Sequence, residues 1–145
     1  MIVPALILAM QAAGLGKVNT DLFWEELPTD PRREGVWVVS RGDAGSDENA
    51  QRLQVDIYAR YSNKVTTELK LRDIVNWVRG DAQNLCVLSV DPADLDGTQQ
   101  RDTITYDIES IKHTGAIQNQ GIDDNFRILK AITIEIKYNE RINES

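Results

Sequence analysis

One stretch constrains this chain more than any other: Gly121 to Tyr138, GIDDNFRILKAITIEIKY. It opens on Gly121-Ile122-Asp123-Asp124-Asn125, residues that tolerate a tight or left-handed backbone, and so predicts a turn. Beyond the turn, Phe126, Ile128, Ile132, Ile134, Ile136 and Tyr138 share one parity, with Lys130 as the only polar member. The opposite parity, Arg127, Leu129, Ala131, Thr133, Glu135 and Lys137, becomes polar toward its end. Period-two alternation with one apolar face predicts a strand half-buried against a core layer. Burying each large apolar side chain contributes roughly 1.5–3 kcal/mol, and ordering each residue's backbone costs roughly 1–2 kcal/mol. A strand on that margin needs neighbours on both edges and helices over its apolar face. It is expected at the centre of a sheet.

The rest of the chain supplies those partners. Val3 to Ala13 predicts a helix, with Pro4 in the first turn and Gly14 or Gly16 as the stop. Ile2 to Met10 is apolar all round, and a helix without a polar stripe must be covered on more than one side. Either this domain packs around it, or a second protein chain covers its far face. Asp21 to Leu27 predicts a short strand closed by Pro28 and Pro31, and Gly35 to Arg41 a second strand. Gly42 to Asn49 reads as a polar loop. Gln51 to Tyr61 alternates, with Leu53, Val55, Ile57 and Ala59 on one face. Three successive strands with short connections predict a meander.

A second helix is expected from about Asn63 to Arg79, stopped by Gly80, with Leu71, Ile74, Val75 and Val78 as its core stripe. Leu69 and Trp77 lie off that stripe. Trp77 either folds back over the sheet edge or joins Leu69 in an exposed apolar contact patch. Leu85 to Val90 predicts a short buried strand, Asp91 to Asp102 a long polar loop, and Thr103 to Thr114 a further strand. Gly115 to Asn125 then leads into the last one. The order α-β-β-β-α-β-β-β predicts an α+β fold: a largely antiparallel sheet of five to six strands with two helices on one face. Residues 1–145 are expected to form a single domain, with 139–145 as a loose C-terminal tail.

Charge and cysteine content narrow the function. A net charge of −7 and a pI near 4.7 argue against a general nucleic-acid binder, which needs basic surface to displace counterions. The one cysteine, Cys86, allows no internal disulfide, fits a reducing compartment and is expected as a small core residue. Ile2 to Met10 is too short to span a bilayer, and the first basic residue is Lys17, so neither a membrane span nor a signal peptide is expected.

The search for chemistry finds no site. The sole histidine, His113, stands in an expected strand without a metal-site spacing around it, and no C-x-x-C occurs. Gly14-x-Gly16 lacks the third glycine of a dinucleotide fingerprint, because position 19 is Asn, and it follows a helix where a strand is required. Asp94-Leu95-Asp96-Gly97 fails as a calcium loop, since the first ligand position falls on Pro92 and the twelfth on Thr103. Arg41-Gly42-Asp43 matches an adhesion tripeptide too short to carry information. No catalytic, cofactor-binding or metal-binding residues are expected, and the chain is read as a non-enzyme.

The whole order then resembles a family. Helix, three strands, helix, three strands is similar to the tail terminator and minor capsid proteins at the head–tail junction of long-tailed bacteriophages. The local likeness lies in Asn119-Gln120-Gly121-Ile122-Asp123-Asp124-Asn125-Phe126-Arg127 before the closing strand. Val55-Asp56-Ile57-Tyr58-Ala59-Arg60, leading into helix 63–79, resembles the family's third strand and second helix. The resemblance implies a homohexameric ring in the virion, made in the bacterial cytoplasm, that caps the tail tube and stops its polymerisation. It implies as partners other copies of this chain, the tail tube protein and the head connector or stopper, with DNA passing through a central channel unread. Leu6, Met10, Leu69 and Trp77 are then the candidate subunit-interface residues. Asp43, Asp47, Glu48, Asp91, Asp94, Asp96, Arg101 and Asp102 are the candidates for axial or channel loops, where their charge would repel DNA phosphates or simply solvate the loops. Two alternatives stay open: another connector such as a stopper, head-completion or tube-associated protein, and a small ligand-binding domain or enzyme.

Overall fold

The computed structural model describes residues 2–24, 34–47, 50–90, 104–122 and 128–141. The elements are α1 (Ile2–Ala12), β1 (Leu22–Trp24), β2 (Gly35–Asp47), β3 (Ala50–Tyr61) and α2 (Lys64–Arg79). A 3-10 turn (Asp81–Asn84) follows, then β4 (Val87–Val90), β5 (Ile104–Ile122) and β6 (Ile128–Arg141). The strands form one six-stranded sheet in the order β1-β2-β3-β6-β5-β4. The fold is α+β in the order expected, and β6 stands between β3 and β5 in the sheet interior.

Local chemistry sets the helix ends. Gly14 takes a left-handed φ of 80°, which lets its N–H donate to Gln11 O at 3.0 Å and the Leu15 N–H to Met10 O at 3.1 Å. That closes α1 in a Schellman turn. At the start of α2, Asn63 Oδ1 accepts from the Val65 N–H at 2.8 Å and the Thr66 N–H at 3.3 Å, satisfying two N-terminal donors.

A single core joins both helices to the same face of the sheet. Val36 and Val38 of β2, Val55, Ile57 and Ala59 of β3, and Ile132, Ile134 and Ile136 of β6 form its floor. α2 lies across β3, β6 and β5, and α1 lies against β4 as well as β1 and β2. Since β1 and β4 are the two outermost strands, α1 can touch both only because the sheet curls around it. The curl buries Leu6 and Met10 completely. It resolves the all-apolar first helix in favour of packing within this chain. On the opposite face Phe23 stacks on Trp37 with ring centroids 5.0 Å apart, and the Arg60 guanidinium lies 4.7 Å from the Trp37 ring centroid. Asp56 there accepts from Thr133 Oγ1 at 2.7 Å and pairs with Arg41 Nε at 3.3 Å.

Several expectations are corrected. β1 pairs with β2 in parallel, so the first three strands are not a meander. A parallel neighbour requires the chain to return to the same end of the sheet between Trp24 and Gly35, which a tight hairpin turn cannot do. Gly42 to Asp47 belongs to β2, because β3 offers a complete backbone partner and two bulges, at Ser40/Gly42 and Asp43/Gly45, absorb the glycines. β5 likewise continues through Gly115 to Ile122 along β6, with register shifts after Ile108, Thr114 and Asn119. β6 begins at Ile128 and stays paired to Arg141, so Asn139 to Arg141 are strand and not tail. Cys86 is exposed, because the chain leaves the 3-10 turn there and enters β4 only at Val87. Phe126 and residues 142–145 lie outside the described residues.

Candidate functional site

Three of the four interface candidates are not on the surface. Leu6 and Met10 are sealed under the curled sheet, and Trp77 is 9% exposed within the core. Trp77 can turn inward because its neighbours Leu71, Ile74, Val75 and Val78 already commit that side of α2 to the sheet. Leu69 alone stands out, at 53% exposed. Of the channel candidates, Asp43 and Asp47 fall on β2, in a strand hairpin and not a loop. Glu48, Asp91, Asp94, Asp96, Arg101 and Asp102 lie outside the described residues.

Leu69 has company that its own position foretells. Val65, one turn earlier, is 62% exposed, and Arg72, Asn76 and Arg79 continue the same spacing toward the end of the helix. This outward stripe of α2 is therefore apolar in its first half and carries two arginines in its second, with the exposed Asp73 beside it. Beside the second half, Gly115 takes a positive φ of 76° at the irregularity between Thr114 and Gln118. Only glycine adopts that backbone without strain, and the β5 segment at this point lines a recess against α2. The recess holds about 340 Å³ and is lined by Arg72, Val75, Asn76 and Arg79 on one side and by His113, Gly115, Ala116 and Ile117 on the other.

The recess is electropositive for reasons that can be named. A guanidine nitrogen of Arg79 lies 3.3 Å from His113 Nδ1. Arginine only donates, so Nδ1 accepts and the imidazole proton sits on Nε2, which is buried and has no partner among the described residues. Burial first and the Arg79 charge second hold the histidine pKa below its ordinary value, which keeps the ring neutral. Arg72 lies 3.9 Å from Glu68, but the same carboxylate oxygen lies 3.7 Å from Lys130 Nζ. One carboxylate thus faces two cations, and among the described residues none pairs with Arg79.

This arrangement suits recognition of an anionic group. Two guanidinium forks and an amide border the opening, with Val75 and Ile117 as its apolar part. Among the described residues no group of three His, Cys, Asp or Glu side chains is placed to hold a metal ion. Val65 was legible in the sequence from its spacing to Leu69. The recess was not, because it depends on β5 continuing past Thr114 and on the bulge that brings Ile117 toward α2.

No helix among the described residues is long and apolar enough to cross a membrane. No protein-family model matches the chain, and neither does any curated protein.

Proposed function

We propose that this chain is a structural virion protein of the head–tail junction of a long-tailed bacteriophage. In that reading it forms a ring, six-membered in the family it resembles, at the end of the tail tube. The ring stops tube polymerisation, joins the tail to the head connector and leaves a channel through which DNA passes. The observation that carries the reading is the element order: helix, three strands, helix and three strands condensed into one curled sheet. The same order of elements is what carries the sequence resemblance. The outward stripe of α2, apolar at Val65 and Leu69 and basic at Arg72 and Arg79, gives such a subunit a surface on which to be joined. A subunit of a closed ring needs two different patches, because its contacts are head-to-tail.

The test is direct. Purified protein is added to growing tail tubes of the phage that carries it, and tube length and tube ends are imaged by electron microscopy. The reading expects a terminal ring and arrested elongation. Unaltered tube lengths with bare ends would reject it, and binding to DNA-filled heads alone would move the protein to the connector side.

A further inference from the structure

We propose that the α2–β5 recess seats the acidic β2–β3 hairpin of a second copy of this chain, the segment of β2 that carries Asp43 and Asp47. The inference rests on the ring reading and says how neighbouring subunits would grip one another.

Three observations point to this occupant. The first is charge. The chain has 23 acidic residues against 16 basic ones, so a recess bordered by Arg72 and Arg79 is complementary to its own remaining surface. Arg79 is turned toward a neutral histidine and has no carboxylate among the described residues. The second is the sheet edge. β1 flanks β2 only at Val36–Val38, and from Arg41 to Asp47 no described strand runs along the outer side of β2. On the other half of the sheet, β4 flanks β5 only over Ile104–Asp107, which leaves the recess segment likewise open among the described residues.

The third is distance. Ser40 is level with Val55, Val55 with Ile134, and Ile134 with His113, so the recess and Ser40 share one row of the sheet. Three strand spacings separate β2 from β5 along that row, roughly 14 Å. Asp47 lies seven residues further along β2 than Ser40, roughly 20 Å up the strand. The hairpin of one chain therefore points away from its own recess, and the contact must form between copies. The two surfaces lie on different strands, so within the ring reading each copy offers its hairpin to one neighbour and its recess to the other, a head-to-tail contact.

The experiment is sedimentation velocity with native mass spectrometry on the full chain over a wide concentration range, at low and at physiological salt. The wild-type protein is expected to self-associate beyond a dimer, more weakly as salt rises. The pair Arg72→Glu with Arg79→Glu is expected to weaken association about tenfold or more, and so is Asp43→Lys with Asp47→Lys. Combining all four changes is expected to restore much of the loss. Thermal melting of each variant checks the fold, and the milder pair Arg72→Gln with Arg79→Gln substitutes where the reversal fails to fold. A recess variant that associates like wild type overturns the proposal. So does a four-fold variant that recovers nothing. A wild-type protein that stays monomeric at every concentration also overturns it, while leaving the ring reading to be decided at the tube end.

Discussion

Lys130 Nζ lies 3.7 Å from Glu68 Oε1, and the lysine is only 8% exposed. Lys130, set among Ile128, Ile132, Ile134 and Ile136 on the apolar face of β6, thus runs its stem through the core and delivers its charge to α2. Removing the carboxylate strands a buried ammonium. Glu68→Ala is expected to cost about 1–2 kcal/mol, discounted because Glu68 is half-exposed. Lys130→Met keeps the stem and removes the charge, and should stay within about 1 kcal/mol of wild type. Urea denaturation of both variants checks the asymmetry; equal losses would contradict it.

The curl of the sheet around α1 makes its residues structural. Leu6→Ala or Met10→Ala should lose about 2–5 kcal/mol, because each opens a cavity that the sheet cannot collapse into. Leu69→Ser should change stability by less than about 0.5 kcal/mol, since Leu69 faces outward. Thermal melts at one protein concentration separate the two classes.

Asn63 tests the start of α2 alone. Its side-chain oxygen serves two N–H donors of the first turn, so Asn63→Ala should cost about 1 kcal/mol and Asn63→Gly only a few tenths. A loss of less than about 0.3 kcal/mol for Asn63→Ala would show that the cap hydrogen bonds contribute little.

Two tyrosines set an alkaline limit. Tyr61 is pushed up to about 12 by burial, then by Asp21 and Glu34. Tyr106 is pushed up to about 12 by burial, then by Glu140 and Tyr138. An unfolded tyrosine ionises near 10, so between about pH 10 and 12 the unfolded chain releases protons that the folded chain retains. Stability from this source is complete below pH 10 and falls as pH rises through 12. Tyr106→Phe should shrink that fall. It should cost little at neutral pH, because among the described residues the buried Tyr106 hydroxyl has no hydrogen-bond partner. Melting temperatures from pH 7 to 12 decide both points.

Periodicity made the skeleton legible. Alternation in Gln51 to Tyr61 and after Phe126, and the stripe Leu71, Ile74, Val75 and Val78, led to the observed order and to β6 in the sheet interior. Composition misled where the sheet overrode it. Gly42 to Asp47 and Gly115 to Ile122 carry the residues of loops, but a paired neighbour strand satisfies their backbone and bulges take up the glycines. The parallel pairing of β1 was hidden because strand direction leaves no trace in a three-residue pattern. The candidate surface was half visible. Exposed Leu69 followed from its helical phase, whereas the burial of Leu6, Met10 and Trp77 followed from a curl that no local pattern encodes.

The place of β6 between β3 and β5 has a consequence during synthesis. The N-terminal strands β1 to β3 and the later pair β4 and β5 meet only through a strand made after all of them. While residues 62–127 emerge, the edge of β3 that awaits β6 stands open, for on the order of 3–13 seconds at about 5–20 residues per second. An alternating apolar edge left open that long is a template for the wrong partner. A nascent chain arrested before Ile128 should therefore need a chaperone that one released after Arg141 does not.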